Sequence, residues 1–470
     1  MFDDTKHPWA SQAQIFHVFP LGLCGAPSDH SQEIDPVSRF PKLLDWIGTA
    51  QGLGCNTVLF GPFWESRTHG YDTTDLTCLD RRLGTRQDLF HVLASWKNAG
   101  FRLIFDGVFH HVGRDFPAFR DLLQNLEASR FAGWFSGVDF TRRSPWGDPF
   151  AYEGWAGHFD LVKLNLHHPE VRSFLLDAVG SWVRDFDLDG LRLDAADAID
   201  KDFLRDLAAH CRSLKPDFWL VGEVVHGNYR DWTDLGLDSV TNYEVYKGLW
   251  SSHNDANYHE IAWSLNRQFG SKGIYQGLRL LSFAENHDVN RVASTVTDPA
   301  HLYPLHLLLF AAPGLPCLYY GQEKATHGAR TKESDSALRP YLSPSAPAQE
   351  PALEAALRRF ASLRRTLRPL QGLGYEQAHV AASQLAFWRW DTPEDRVLVA
   401  VNSDSKITKV TLNAPDGPWR DALDPAYGTK TQNGRLEIEI PPCWGRVLTR
   451  SQGPGAVPWM AEGVLSNFPG

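Results

Sequence analysis

The chain has 470 residues, of which 43% are hydrophobic and 22% are charged, as in ordinary globular proteins of two or three domains. Its formal net charge of −10 disfavours binding to a phosphate backbone, so no nucleic-acid partner is expected. The apolar runs all stay below the roughly eighteen residues that a membrane span requires, so no membrane partner is expected either.

The cysteines and the N-terminus bear on the cellular compartment. Six cysteines are scattered singly and form no CxxC pair. This spacing disfavours a zinc site or a disulfide framework, and it predicts reduced thiols and no metal site. The segment MFDDTKHPWASQ is acidic and polar and lacks the basic-then-apolar order of a signal peptide. We therefore expect a cytoplasmic protein.

Short apolar runs rich in β-branched and aromatic residues alternate with amphipathic, helix-like stretches along most of the chain. The runs are strand candidates at 14–20, 57–61, 102–109, 190–196, 218–224, 239–244, 278–288 and 317–323. Eight strands that alternate with helices predict an α/β fold with a parallel sheet, closed as a (β/α)8 TIM barrel. A last helix at 351–368 is expected to complete the barrel.

Two regions depart from this alternation. The connection after the third strand is far longer than one helix needs, and it is rich in Gly, Trp and Asp. Beyond about residue 370 the pattern changes to short alternating runs, which predict an antiparallel β-sandwich. The predicted domains are a catalytic barrel at 1–112 and 169–369, a small insert at 113–168 and a C-terminal β domain at 370–470.

The stretch GLRLDAA at 190–196 places two charged residues on one face of a strand. Side chains two apart point the same way, so Arg192 and Asp194 project together while the leucines project oppositely. In a barrel the charged pair would point into the mouth at the C-terminal ends of the strands, where barrel enzymes have their sites. From this stretch alone, a structural ion pair and a functional pair are both open.

Two further carboxylates occupy equivalent places and favour the functional interpretation. Glu223 ends the fifth strand candidate and Asp288 ends the seventh, 29 and 94 positions after Asp194. The three acids are thus expected to converge at one rim. Clustered acids repel one another, and a fold has little structural reason to accept that cost.

Paired carboxylates on either side of a sugar perform glycoside hydrolysis, with one as nucleophile and the other as acid and base. Arg192 is expected to lower the pKa of Asp194 and keep it ionised, because a nearby cation favours the charged carboxylate. Glu223 would have to hold a proton near neutrality.

The sequence resembles the α-amylase family of glycoside hydrolases over nearly its whole length. Four segments are similar to the strand motifs of that family: DGVFHH (106–111), GLRLDAA (190–196), GEVVH (222–226) and FAENHD (283–288). Three more match its supporting motifs: GCNTVLFGP (54–62), HGYDTTD (69–75) and GLPCLYYGQE (314–323). All of them occur in the order that the family has.

The resemblance implies a role for each matching residue. Asp194 would be the nucleophile, Glu223 the acid and base, and Asp288 the group that stabilises the distorted sugar. The residues expected to bind substrate or brace the site are Tyr71, Asp106, His111, Arg192, His226, His287 and Arg339. Among these, Tyr71 would stack on the sugar being cleaved, and Arg339 would bind the next sugar inward.

Two details favour one branch of the family. LVKLN (161–165) resembles a segment of the neopullulanase and cyclomaltodextrinase branch, and Ala196 is smaller than the valine common in relatives that prefer α-1,6 bonds. The resemblance then implies hydrolysis of α-1,4 bonds in short or cyclic maltodextrins. His110 stands where the family has a calcium-binding asparagine, so we expect no calcium there and no cofactor.

Several alternatives stay open at this point. A transglycosylase or an α-glucosidase of the same family would share the covalent intermediate, and a non-catalytic glucan-binding relative would usually lack the three acids. The partner expected is an oligosaccharide. A homodimer is also open, although the chain begins close to its first strand and lacks the N-terminal domain linked to dimers of that branch.

Overall fold

The computed structural model describes residues 8–30 and 35–450. The chain divides into two compact units. The first comprises 1–243, 285–291 and 316–349, and the second comprises 244–284, 292–315 and 350–470. The predicted domain boundaries stay a prediction.

The first part of the chain alternates strands and helices as expected. Its strands are β1 (Ile15–Val18), β2 (Thr57–Phe60), β3 (Trp64–Ser66), β4 (Thr73–Leu79), β5 (Arg102–Gly107), β6 (His111–Gly113), β7 (Gly154–Trp155), β8 (His158–Lys163), β9 (Gly190–Leu193), β10 (Trp219–Gly222), β11 (Ser239–Val240), β12 (Leu281–Phe283) and β13 (Leu315–Tyr319).

The helices follow these strands in the order that a barrel requires. They are α1 (Pro20–Leu23), α2 (Ile47–Gly52), α3 (Arg86–Asn98), α4 (Pro117–Asn125), α5 (Pro169–Phe186), α6 (Lys201–Leu214), α7 (Arg230–Thr233), α8 (Tyr243–Asn254), α9 (Tyr258–Phe269), α10 (Val292–Thr295), α11 (Leu302–Ala311), α12 (Leu353–Thr366) and α13 (Arg368–Gln371). Within the described ranges, none of them is long and apolar enough to cross a membrane.

Eight strands form one sheet in the order β11-β10-β9-β5-β2-β1-β13-β12. The pairs along it from β11 to β13 are parallel, as in β5 with β9, where Asp106 lies opposite Arg192. The residues of β1, β2, β9 and β10 are buried throughout, which explains their near-continuous apolar runs. The predicted class, a parallel eight-strand barrel that is nearly closed, is confirmed.

Two strands are less than half as long as the sequence pattern predicted. The candidate at 239–244 is a strand only over Ser239–Val240, because α8 begins at Tyr243. The candidate at 278–288 is a strand only over Leu281–Phe283. In both cases the polar residues that follow leave the sheet and enter loops or helix starts at the barrel rim.

The long connection after β5 folds as a small sheet of its own. β6, β8 and β7 form an antiparallel three-stranded sheet in which His111 pairs with Lys163. Beside it, aromatic rings pack edge to face around Phe119, against Phe135, Phe150 and Tyr152.

The C-terminal region is antiparallel, as predicted. Its strands are β14 (Gly374–Val380), β15 (Gln384–Trp390), β16 (Arg396–Asn402), β17 (Thr408–Asn413), β18 (Pro418–Asp421), β19 (Gly428–Lys430), β20 (Arg435–Ile440) and β21 (Trp444–Arg450). They form a six-stranded sheet, β14-β15-β16-β21-β18-β19, and a two-stranded sheet, β17-β20. Alternate residues such as Val410, Leu412, Leu436 and Ile438 join Trp419 in one apolar core.

Candidate active site

The site is built where neighbouring parallel strands end. Asp106 lies in β5 and Arg192 in β9, while Asp194 and Glu223 directly follow β9 and β10. The backbone hydrogen bonds between neighbouring strands continue into these residues. The Asp194 amide donates to the carbonyl of Gly107 (3.0 Å), and the Glu223 amide donates to the carbonyl of Leu193 (2.9 Å). The backbone therefore holds both acids at the same rim of the sheet.

Arg192 is the centre of the site. Its Nη1 donates to Asp106 Oδ1 and Oδ2 and to Asp194 Oδ1, each at 2.9 Å. Its Nη2 lies 2.7 Å from Glu223 Oε2. One buried guanidinium thus contacts three carboxylates, and the predicted pairing of Arg192 with Asp194 is present.

Glu223 is fixed through both of its oxygens. The Ala195 amide donates to Oε2 at 3.1 Å, and the Tyr243 hydroxyl donates to Oε1 at 3.0 Å. Ala195 has a left-handed backbone, with φ 44° and ψ 43°, which is costly for a residue with a Cβ. The strained residue is therefore the one that follows Asp194 in the chain and donates to Glu223.

Asp288 is held by a histidine and an arginine. His287 Nε2 lies 2.8 Å from Asp288 Oδ2, and Arg339 Nη2 donates to Oδ1 at 3.0 Å. Arg339 Nε also donates to the carbonyl of His287, which locks the two residues together. The Asp288 side chain is 29% exposed, against 12% for Asp194 and 11% for Glu223, so it is the most open of the three acids.

Aromatic rings surround His287 and complete this side of the site. The Tyr71 ring stacks on that of His287 at 5.4 Å, and the Tyr71 hydroxyl bonds both His287 Nε2 and Asp106 Oδ2. Phe19 stacks on the His287 ring from 5.5 Å, and His17 meets its edge at 5.1 Å. The imidazole is thereby held in one orientation.

His111 lies at the start of β6, with His110 beside it. The two Nδ1 atoms are 3.3 Å apart, and His111 Nε2 is buried without a hydrogen-bond partner in the described part of the chain. Burial lowers the pKa of His110 to about 4, with Lys163 acting in the same direction, and burial followed by His110 lowers the pKa of His111 to about 3. Both rings are therefore uncharged near pH 7. A neutral imidazole pair is a poor fit for calcium, which prefers oxygen ligands.

The pKa values of Asp194 and Asp288 are shifted in opposite directions. Burial raises the pKa of Asp194 well above its usual value, with Glu223, Asp106 and Asp288 adding to the rise, and Arg192 opposes them. Arg192 lowers the pKa of Asp194 as predicted, but burial among several acids outweighs this one cation, so the net shift is upward. Burial would also raise the pKa of Asp288, but His287, Arg339 and Arg192 outweigh it and hold that pKa far below the usual range.

Most of the residues predicted from sequence meet here. Asp194, Glu223, Asp288, Tyr71, Asp106, Arg192, His287 and Arg339 form one hydrogen-bonded cluster. His111 lies at the start of β6, shortly after Asp106 in the sequence. His226 is exposed and lies outside the hydrogen-bonded cluster. The residues that the sequence reasoning missed are Tyr243, Asn286, His17 and Phe19. Tyr243 lies near the end of the strand candidate at 239–244, so its position at the rim was a usable signal.

Comparison with known proteins places this site in a family. The family description "Alpha amylase, catalytic domain" matches residues 43–340. A cyclomaltodextrinase of Bacillus sp is 26% identical over 419 residues, 84% of this chain and 73% of the relative. Neopullulanase 2 of Thermoactinomyces vulgaris is 26% identical over 94% of this chain and 78% of its own length.

Solved structures support the fold. A cyclomaltodextrinase structure is similar with a TM-score of 0.83 at 23% identity, covering 94% of this chain and 78% of the other. The cyclic α-maltosyl-(1→6)-maltose hydrolase of Arthrobacter globiformis gives 0.78 at 22% identity, covering 94% and 99%. Because the family description matches residues 43–340, more than half of the chain, the chain belongs to the α-amylase family of glycoside hydrolases.

Proposed function

We propose that this chain hydrolyses α-1,4-glucosidic bonds in short or cyclic maltodextrins with retention of configuration. The observation that carries the proposal is the contact of one buried guanidinium with Asp106, Asp194 and Glu223 at the rim of the barrel. Retaining enzymes need two carboxyl groups only about 5–5.5 Å apart. The contact of Asp194 and Glu223 with the same guanidinium supports a short separation of this kind.

The surplus charge around Arg192 suits the first step. Asp106, Asp194 and Glu223 bring three negative charges to one positive charge, which favours binding of one proton. The first step requires this proton on Glu223 and an ionised Asp194 beside Arg192. Asp194 then attacks the anomeric carbon and forms a bond to it, while Glu223 gives its proton to the departing glycosidic oxygen.

The second step returns the site to its starting state. Glu223, now ionised, accepts a proton from water as the water oxygen bonds to the anomeric carbon and the bond to Asp194 breaks. Asp288 would stabilise the positive charge that develops on the sugar ring in both steps, since its low pKa keeps it ionised. Tyr71, His111, His287 and Arg339 would bind and orient the sugars, and His226 would face the leaving group.

The choice of substrate rests on the relatives and on two local features. Relatives named cyclomaltodextrinase and neopullulanase match most of the chain, and LVKLN forms the part of β8 that pairs with His111. A narrower candidate is the hydrolysis of cyclic maltosyl-maltose to maltose, because a hydrolase of that ring has similar length and fold. An intracellular maltogenic amylase of Bacillus subtilis is 27% identical over 68% of this chain, which supports a cytoplasmic enzyme acting on imported maltodextrins.

A product profile tests the proposal. The chain is incubated with linear maltodextrins, cyclomaltodextrins, cyclic maltosyl-maltose and an α-1,6-linked glucan, and the products are separated by chromatography. Maltose or similar short products with α configuration, and no cleavage by Asp194→Asn, are the expected results. Products longer than the substrate would favour the transglycosylase, release of glucose alone would favour the α-glucosidase, and binding without cleavage would favour a non-catalytic glucan-binding protein.

A further inference from the structure

Three potential metal ligands meet in the second unit, which contains none of the residues of the proposed reaction. One ligating atom each of Asp298, His301 and Cys443 lies within 4.8 Å of the other two. Asp298 is exposed, and His301 and Cys443 are partly exposed, so an ion could reach them from solvent. They are the one group of this kind in the described ranges.

Local structure brings Asp298 and His301 to the same side of a helix start. Asp298 precedes the 3-10 turn Pro299–His301, which leads into α11, and its Oδ1 accepts from the Ala300 amide at 2.9 Å. His301 Nε2 lies 3.0 Å from the Ser403 carbonyl oxygen, while its Nδ1 is buried and has no hydrogen-bond partner in the described residues. The ring therefore has a buried nitrogen that no protein group satisfies.

Cys443 reaches the same point from the loop between β20 and β21. Its backbone has φ 44°, in the left-handed region that a side chain with a Cβ rarely adopts. Its amide donates to the Asp404 carbonyl at 3.0 Å, and its Sγ lies 3.7 Å from the carbonyl oxygens of Ser403 and Asp404. The Ser403 oxygen thus faces both the thiol and the imidazole.

The electrostatic surroundings favour a cation. The three side chains supply one carboxyl, one imidazole and one thiol group. A thiolate, a carboxylate and a neutral imidazole would together carry two negative charges, which one divalent ion balances.

We propose that Asp298, His301 and Cys443 bind one zinc ion, with a water as the fourth ligand. A mixed set of sulfur, nitrogen and oxygen donors matches zinc and is unsuited to calcium or magnesium. Ligand bonds of about 2.0–2.3 Å require the three atoms to close slightly, and the exposed Asp298 side chain can supply that movement. The ion would tie the start of α11 to the loop before β21 and stabilise the second unit without taking part in the proposed reaction.

Cobalt binding tests this site directly, because Co²⁺ bound to a thiolate has a charge-transfer band in the ultraviolet. The full chain is stripped with a chelator and titrated with Co²⁺, and the expected result is one equivalent bound with that band. Cys443→Ser should lose the band, whereas Cys78→Ser, which removes an exposed free cysteine, should keep it.

Asp298→Asn supplies a second variant that keeps the local fold. Asparagine caps a helix start as well as aspartate does, but it removes the anionic ligand. Its Co²⁺ affinity should fall roughly tenfold or more, since even partners outside the ligand set typically change metal affinity by 10–100-fold. A missing thiolate band, a band that persists in Cys443→Ser, or an unchanged affinity in Asp298→Asn would overturn the proposal.

Discussion

Two buried arginines of the first unit differ in the charge that surrounds them. Arg82 pairs with Asp80 two residues before it, and Arg192 pairs with Asp194 two residues after it. The remaining hydrogen bonds of Arg82 go to the hydroxyl of Ser66 and to backbone carbonyls such as that of Pro27. In the described part of the chain Asp80 is the one ion-pair partner of Arg82, so the charges of this pair balance.

Arg192 instead contacts Asp106, Asp194 and Glu223, so negative charge exceeds positive charge around it. Excess buried charge destabilises a fold, and it persists where function requires it. A spacing of two residues between an arginine and an aspartate is thus uninformative by itself. The number of carboxylates that the fold adds to the pair separates a structural arginine from a functional one.

The largest effect expected is the loss of activity in Asp194→Asn. The variant lacks the proposed nucleophile, so kcat on a maltodextrin should fall by about 10⁴-fold or more. Its thermal midpoint should stay the same or rise, because one surplus charge beside Arg192 is removed. A marked loss of stability with activity retained would show that Arg192 and Asp194 are a structural pair like Asp80 and Arg82.

Asp80→Asn should behave in the opposite way. It leaves the buried Arg82 without a counter-charge, which typically destabilises a protein by about 3–5 kcal/mol. Urea unfolding should show this loss, while kcat at a temperature where the variant is folded should stay within about twofold of the parent, since Asp80 lies outside the cluster. A fall in kcat as large as that of Asp194→Asn would contradict the distinction between a structural Arg82 and a functional Arg192.

Tyr243→Phe should affect catalysis moderately. The hydroxyl donates to Glu223 Oε1, and a hydrogen bond to a charged group typically contributes about 1.5–3 kcal/mol. We expect kcat to fall by roughly 10–100-fold and the pH profile of kcat to shift, because the bond acts on the proton of the acid. An unchanged pH profile with a raised KM alone would indicate a role in sugar binding instead.

His110→Asn should reduce the sensitivity of the fold to acid. The pKa of His110 is about 4 in the folded chain, against about 6.5 in the unfolded chain. Between these values the unfolded chain binds more protons, so stability falls as the pH falls through this window.

Removing this imidazole should reduce the loss of unfolding free energy between pH 6.5 and pH 4 by on the order of 2 kcal/mol. Urea unfolding at several pH values measures this loss. His226→Asn, which changes an exposed histidine, serves as the control and should leave the pH dependence as it is. Equal slopes in the two variants would contradict the buried, neutral state of His110.

The sequence allowed the rim acids to be predicted because parallel strands end at one edge whatever their side chains. Asp194, Glu223 and Asp288 followed from that rule alone. Properties that depend on packing could not be predicted from the sequence. The net rise in the pKa of Asp194 depends on burial among other acids, and Trp64, which stands in a polar stretch, is buried against Trp182 at 4.5 Å.

Trapping of the covalent intermediate tests the central claim most directly. The chain is incubated with a fluorinated maltosyl fluoride whose glycosyl-enzyme is slow to hydrolyse, digested, and analysed by mass spectrometry. The account predicts one maltosyl adduct on the peptide that contains Asp194, and none in Asp194→Asn. An adduct on another carboxylate, or cleavage with inverted configuration and no adduct, would contradict it.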